Sequence, residues 1–279
     1  MQQAVARKRH WTLADIPWQR FDATKVDPEI LKLVKAAAMV EHNGGDYAEY
    51  LCNVFHDDPE FQRVTRQWAD EEVQHGRALA EWAKLADADF DFDSGFKRFT
   101  DGYKIPVDAS ASIRGSRSGE LVARCIVETG TSSYYTALMD ATEEPVLKEI
   151  CRNVAADELR HYKLFFDHLR RYLKSEHIGR WKRIAVAMSR MRETEDDELA
   201  YAYFAANEPV AAAYDRRRSS AAYARRAYGF YRRRHVERGV AMVLKAAGLR
   251  PNGRLNAWLT RLGCWFLRSR SRRLAAAGA

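Results

Sequence analysis

Apolar residues recur at steps of three and four through most of the chain, the spacing of helices that each bury one face. This period predicts a first helix from about Pro28 to Phe55, striped by Val34, Ala38, Gly45, Ala48, Cys52 and Phe55. A second runs from Pro59 to about Leu85, with Trp68, Leu79 and Trp82 in line. A third spans about Gly119 to Asp140 on Leu121, Cys125, Tyr135 and Met139. A fourth starts at Pro145 and reaches about Leu173 on Ile150, Val154 and Phe165. A fifth runs from Gly179 to about Asn207, where Pro209 ends it. Asp58-Pro59 and Thr142-Glu143-Glu144-Pro145 carry the N-cap and first-position chemistry of helix starts. Residues 1–26 read as irregular, and residues 86–116, with their Asp, Gly, Ser and Pro, as a long connection. Few segments alternate as strands do. The fold class expected is all-α: a four-helix bundle domain over 27–207 with its core in 28–175, then a basic helical extension over 208–279.

Each of the four stripes is interrupted by acid. Glu41 lies on the first, Glu72 and His75 on the second, Glu128 on the third, and Glu158 and His161 on the fourth. A lone glutamate followed by Glu-x-x-His thus occurs twice, with spacings of 31 and 3 residues, then 30 and 3. The midpoint of Glu41 and Glu72 falls between His56 and Asp57 in the turn His56-Asp57-Asp58-Pro59, and that of Glu128 and Glu158 at Glu143 in the second turn. In an antiparallel hairpin with a rise of 1.5 Å per residue, each glutamate then sits roughly 22 Å from its turn, all at one level. Burying one unpaired carboxylate costs several kcal/mol, and four together cost more. Two divalent cations would balance four carboxylates, with one histidine for each. Six such side chains are the set with which a four-helix bundle holds two metal ions. A carboxylate-rich set suits iron, or manganese, better than zinc. An acid precedes each Glu-x-x-His, Glu71 or Asp157, and could reach across to the opposite histidine, as partners of metal-bound imidazoles do. The Gly44-Gly45 pair, mid-helix beside Glu41, reads either as space for a small molecule or as a tolerated bend. Tyr135 reads as core or as redox-active, and the other histidines as structural.

Charge changes the picture for the end of the chain. The net charge of +8 conceals 29 Lys and Arg against 36 Asp and Glu in residues 1–210, and 17 against 2 in residues 211–279. Arginine clusters there alternate with Tyr214, Tyr223, Tyr228, Tyr231, Trp258 and Trp265. Leu255, Trp258, Leu259, Leu262, Trp265 and Phe266 share one helical face. This extension fits an anionic membrane surface, an acidic carrier protein, or a helix packed on the bundle with its basic side in solvent; nucleic acid is disfavoured. The four cysteines form no CxxC pair, which argues against disulfides and zinc ribbons. No apolar run has the roughly 18 residues of a spanning helix, and Met1 to His10 lacks a signal-peptide core. The expectation is a cytoplasmic protein with scope for membrane association.

At its metal-binding motifs the chain resembles the ferritin-like di-iron carboxylate superfamily, nearest to the soluble acyl-carrier-protein desaturases and next to rubrerythrin-like proteins. The motifs are Glu71-Glu72-Val73-Gln74-His75-Gly76 and Ala155-Ala156-Asp157-Glu158-Leu159-Arg160-His161, with Thr131 three residues after Glu128. The likeness covers about residues 28–175. It implies that Glu72 and Glu158 bridge two irons, and that Glu41 with His75 and Glu128 with His161 complete one iron each. It also implies that Thr131 delivers a proton and that Asp157, bonded to His75, lies on an electron path. The activity implied is that of an O2-activating oxidoreductase, a desaturase or hydroxylase acting on a hydrophobic substrate, with acyl chains among the candidates. With no CxxC pair of its own, the chain would take electrons from a separate donor protein. Two alternatives stay open: a rubrerythrin- or ferritin-like protein handling iron or peroxide, and a metal-bearing interaction or structural protein. A homodimer is also left open.

Overall fold

The computed structural model describes residues 10–193 and 197–277 and is all-α: among the described residues there is no strand. Three single 3-10 turns occupy the start, at Leu13–Asp15, Trp18–Arg20 and Ala23–Lys25. Then follow α1 (Pro28–His42), α2 (Gly44–Val54), α3 (Pro59–Ala86), α4 (Phe92–Gly102), α5 (Arg117–Ala141) and α6 (Pro145–Glu176). The chain continues through α7 (Arg180–Arg192), α8 (Asp197–Asn207), α9 (Arg216–Ala227), α10 (Arg233–Ala246) and α11 (Arg254–Ala277). Residues 1–9 of the expected irregular segment, and 194–196 of the expected fifth helix, lie outside the described residues.

The helix starts follow from local chemistry. Asp27 accepts from the backbone N–H of Glu29 and Ile30 ahead of Pro28, and Asp58 accepts from Phe61 ahead of Pro59. Ser116 caps α5 through Gly119, and Glu144 caps α6 through Val146 and Leu147. The α5–α6 hairpin, closed by Thr142 to Glu144, is the most extensive helix contact of the molecule. α3 packs on α1 and α2 and touches α6.

Three expectations need correction. The helix expected from Pro28 to Phe55 is two helices, broken at Asn43. Close approach explains the glycines around the break: a Cβ on Gly44 would lie 2.5 Å from Glu72 Cβ, and one on Gly76 would lie 2.5 Å from the His42 nitrogen. The connection over 86–116 contains α4, whose Phe92, Phe96 and Phe99 lie at helical spacing and pack into the interior. The fifth helix is divided into α7 and α8.

The apolar interior forms two clusters. One gathers around Leu33, Trp82, Tyr135 and Ile150, the other around Phe55, Phe61, Leu121 and Phe165. On each of four chain segments the carboxylate falls where the chain crosses from one cluster to the other. Glu41 lies between Met39 and Ala48, and Glu72 between Ala69 and Ala78. Glu128 lies between Ile126 and Tyr134, and Glu158 between Ala155 and Tyr162. The acid layer is thus sandwiched by apolar packing that excludes bulk water, each large side chain contributing about 1.5–3 kcal/mol on burial.

Candidate metal centre

Glu41, Glu72, His75 and Glu158 each offer a ligand atom within 4.8 Å of the others, and so do Glu72, Glu128, Glu158 and His161. All six are buried. The two sets share Glu72 and Glu158, so the shared carboxylates lie between two adjacent positions. His75 Nδ1 lies 3.3 Å from Glu158, 3.5 Å from Glu41 and 3.7 Å from Glu72. His161 Nδ1 lies 3.0 Å from Glu72, 3.8 Å from Glu128 and 3.9 Å from Glu158. Neither Nδ1 has a hydrogen-bond partner among the described residues, and the same holds for Glu41 Oε2, Glu128 Oε1 and Glu158 Oε1. Unsatisfied buried polar atoms are rare because each forfeits its solvation. Here five face one interior space, and their hard oxygen and imidazole chemistry suits a cation. These clusters can hold metal ions.

The remaining imidazole nitrogens are oriented from outside. His75 Nε2 lies 3.1 Å from Asp157 Oδ2, and His161 Nε2 lies 2.9 Å from Glu71 Oε2. Each acid comes from the motif of the opposite hairpin, as the sequence suggested. This fixes each Nδ1 toward the glutamates. Arg160 bonds both acids. Thr131 Oγ1 donates to Glu158 Oε2 at 2.6 Å. Tyr135, which the sequence left between core and redox roles, is buried in the first cluster and donates to Glu41 Oε1 at 2.6 Å.

Three contributors have no counterpart in the sequence reading. Trp11, in the segment expected to be irregular, donates from Nε1 to Asp157 Oδ2 at 2.7 Å and stacks on the His75 ring at 6.0 Å. Arg124 is buried on α5, with Nη2 3.8 Å from Glu128 Oε1 and its guanidinium over Tyr47 and Trp68. Its position four residues before Glu128 was the available signal. Gln74 ties down the Trp11 carbonyl at 2.9 Å.

Without metal, protons take over the charge balance. Burial, reinforced by the Glu72 and Glu158 charges, pushes Glu41 well above the usual carboxylate range. Burial and the Glu158 and Glu72 charges do the same to Glu128. Burial also pushes Glu72 upward, but the facing imidazoles, His161 at 3.0 Å and His75 at 3.7 Å, outweigh it and hold Glu72 well below that range. Burial would lower His75, yet its bond to Asp157 and the nearby Glu158 carboxylate carry it well above its ordinary value. His161 is raised in the same way, by Glu158 and Glu71 against burial.

Two cavities meet at this layer. One, of about 240 Å³, is lined by Glu41, Glu72, Glu128, Glu158 and Thr131 and walled by aromatic residues such as Tyr47 and Trp68 together with charged ones, Arg114, Glu120, Arg124 and Glu193 among them. The other, of about 180 Å³, is lined by Tyr134, Tyr135, Tyr223, Tyr228 and Tyr231 with Ile126 and Ala227. Both touch Val40, Glu41, Val127 and Thr131. Gly44 lines the first cavity, while Gly45 points to open space. No family model matches the chain, and no curated protein matches it in sequence.

Proposed function

We propose that α1–α2, α3, α5 and α6 form a ferritin-like four-helix bundle holding two iron ions, and that the protein is an O2-activating oxidoreductase of desaturase or hydroxylase type. The observation that carries this reading is the pair of overlapping carboxylate–imidazole clusters opening onto two cavities rich in aromatic side chains. Glu41 and His75 would hold one ion, Glu128 and His161 the other, and Glu72 and Glu158 would contact both. The preponderance of oxygen donors favours iron, with manganese next. When bound, such a pair supplies reduction of O2 and oxidation of a C–H bond.

The protein's own side chains set the conditions for that chemistry. Asp157 and Glu71 hold the two imidazoles in one orientation. Thr131 carries a hydroxyl proton beside Glu158, at the wall both cavities share. Tyr135 keeps a proton on the Glu41 side. Arg124 offsets negative charge near Glu128. The second cavity, lined mainly by tyrosines and small apolar residues, fits a compact hydrophobic substrate or the reacting stretch of an acyl chain. Electrons would come from a separate donor protein, with the Asp157–His75 contact on their path.

The test is single turnover of the chemically reduced, iron-loaded chain with O2, with and without apolar compounds of graded size. The expected outcome is O2 consumption accelerated by compounds that fit, with a desaturated or hydroxylated product. Consumption that releases peroxide whatever compound is added, or activity on peroxide alone, would favour iron or peroxide handling instead.

A further inference from the structure

The geometry of α11 points to an anionic lipid surface as its partner: we propose that the protein docks on such membranes through the outer face of this helix. The surface is independent of the metal site and of the activity proposed for it.

The helix is turned inside out. It packs on α9, α10 and the turn at Tyr228–Phe230. Over its first three turns the residues it presents inward are small and polar, with half-buried Leu267 following on the same face. Thr260 and Asn256 are buried, Thr260 donates to Asn256 Oδ1 at 2.9 Å, and Asn256 Nδ2 donates to the Pro251 carbonyl at 2.6 Å. Gly263 sits where a Cβ would lie 3.0 Å from Val236. Outward it presents Leu255, Trp258, Leu262, Trp265 and Phe266, whose exposures run from 45% to 60%. A helix packed on a globular core has the opposite arrangement. The packed helix therefore leaves these apolar side chains on its outer side, next to its solvated arginines.

The outer face is organised. At about 100° per residue, the five apolar side chains fall within an arc of about 100°. Arg254, Arg261, Arg268 and Arg272 fall together in the adjoining arc of about 40°. None of these four has an acidic partner among the described residues, and all four are exposed. From Arg254 to Arg272 these side chains form a strip about 27 Å long.

Charge selects among occupants. Residues 211–279 carry 17 Lys and Arg against 2 acids, so a second copy would bring like charge to the same face. Phosphate headgroups would bring the opposite charge along the whole strip. Trp and Arg both suit the boundary between headgroups and acyl chains, each with an apolar body and a polar end. No described helix is long and apolar enough to cross a membrane, so α11 would lie on the surface. α11 itself packs on the Tyr228–Phe230 turn, whose Tyr228 lines the second cavity.

The experiment is co-sedimentation of the full chain with vesicles of phosphatidylcholine alone, and of phosphatidylcholine and phosphatidylglycerol in equal parts. Binding to the anionic vesicles is expected to be at least about tenfold stronger, because each arginine near such a surface contributes roughly fivefold. Trp258→Glu/Trp265→Glu is expected to lose at least about tenfold, since burying one such ring is worth that much or more. Arg254→Gln/Arg261→Gln/Arg268→Gln/Arg272→Gln is expected to remove the preference for anionic lipid. Circular dichroism of both variants should match that of the parent, as the substituted residues are exposed. Equal binding to both vesicle types, or a tryptophan variant that binds like the parent, would overturn the proposal. So would a parent dimer that the tryptophan variant dissociates, which would assign the face to a second copy.

Discussion

Removing metal should make the stability of this protein fall as pH rises through neutrality. In the metal-free site, His75 and His161 keep their protons well above the ordinary imidazole value of 6.5, and Glu41 and Glu128 well above 4.5. A group whose folded-state value is raised contributes stability that is fully present below its unfolded value and is lost as pH climbs through the folded one. For the histidines that window opens at 6.5, and for the two glutamates at 4.5. Glu72 and Glu158 are lowered, so their contribution is lost only on acidification and leaves the neutral range flat. Each proton held by the folded chain alone tilts stability by about 1.4 kcal/mol per pH unit. The two histidines therefore predict a loss of at most roughly 2–3 kcal/mol between about pH 7 and pH 8. Bound cations replace those protons, so the loaded protein should show no such fall, and loading should release protons. Urea unfolding of chelated and loaded protein at a series of pH values reads both slopes. A chelated protein whose stability is flat or rises over this range would refute the charge balance described for the site.

Other expectations follow from single contacts. Gly76→Ala drives a methyl against the His42 backbone, so it should cost about 2 kcal/mol or more and lower metal content, whereas Gly45→Ala, with open space around it, should gain about 0.5–1 kcal/mol. Denaturant midpoints and metal analysis separate the two. Glu144 is fully buried and accepts from Trp82 Nε1, the Asp22 backbone and two N–H groups of α6, so Glu144→Ala should cost about 3 kcal/mol or more in the same assay. Thr131→Val removes only the hydroxyl that donates to Glu158; metal content should hold while single turnover with O2 slows by roughly 10²-fold.

Much of the site was legible because helical spacing is rigid. Once Asp58-Pro59 and Glu144-Pro145 fixed the starts of α3 and α6, counting residues put four carboxylates at one level. The second pairing, Asp157 with His75 and Glu71 with His161, was legible for the same reason. The break at Asn43 was not, since a stripe that resumes on the same face hides it; what forces it is the proximity of α3 to Gly44 and His42. α4 escaped notice among polar and turn residues, although Phe92, Phe96 and Phe99 carried its period. Trp11 lies 146 residues from Asp157, and nothing local announces such a contact. For α11, sequence showed that one face is apolar, but which face meets the protein depends on neighbours: Val236 and the Pro251 carbonyl admit only small or polar residues there.

The most direct test of the central claim is metal analysis with Mössbauer spectroscopy on iron-loaded full-length protein and its Glu158→Ala variant. Because Glu158 belongs to both clusters, the account predicts about two irons per chain, magnetically coupled, and loss of the coupled pair in the variant. A well-folded parent that holds no iron, or a variant that keeps the coupled pair intact, would contradict it.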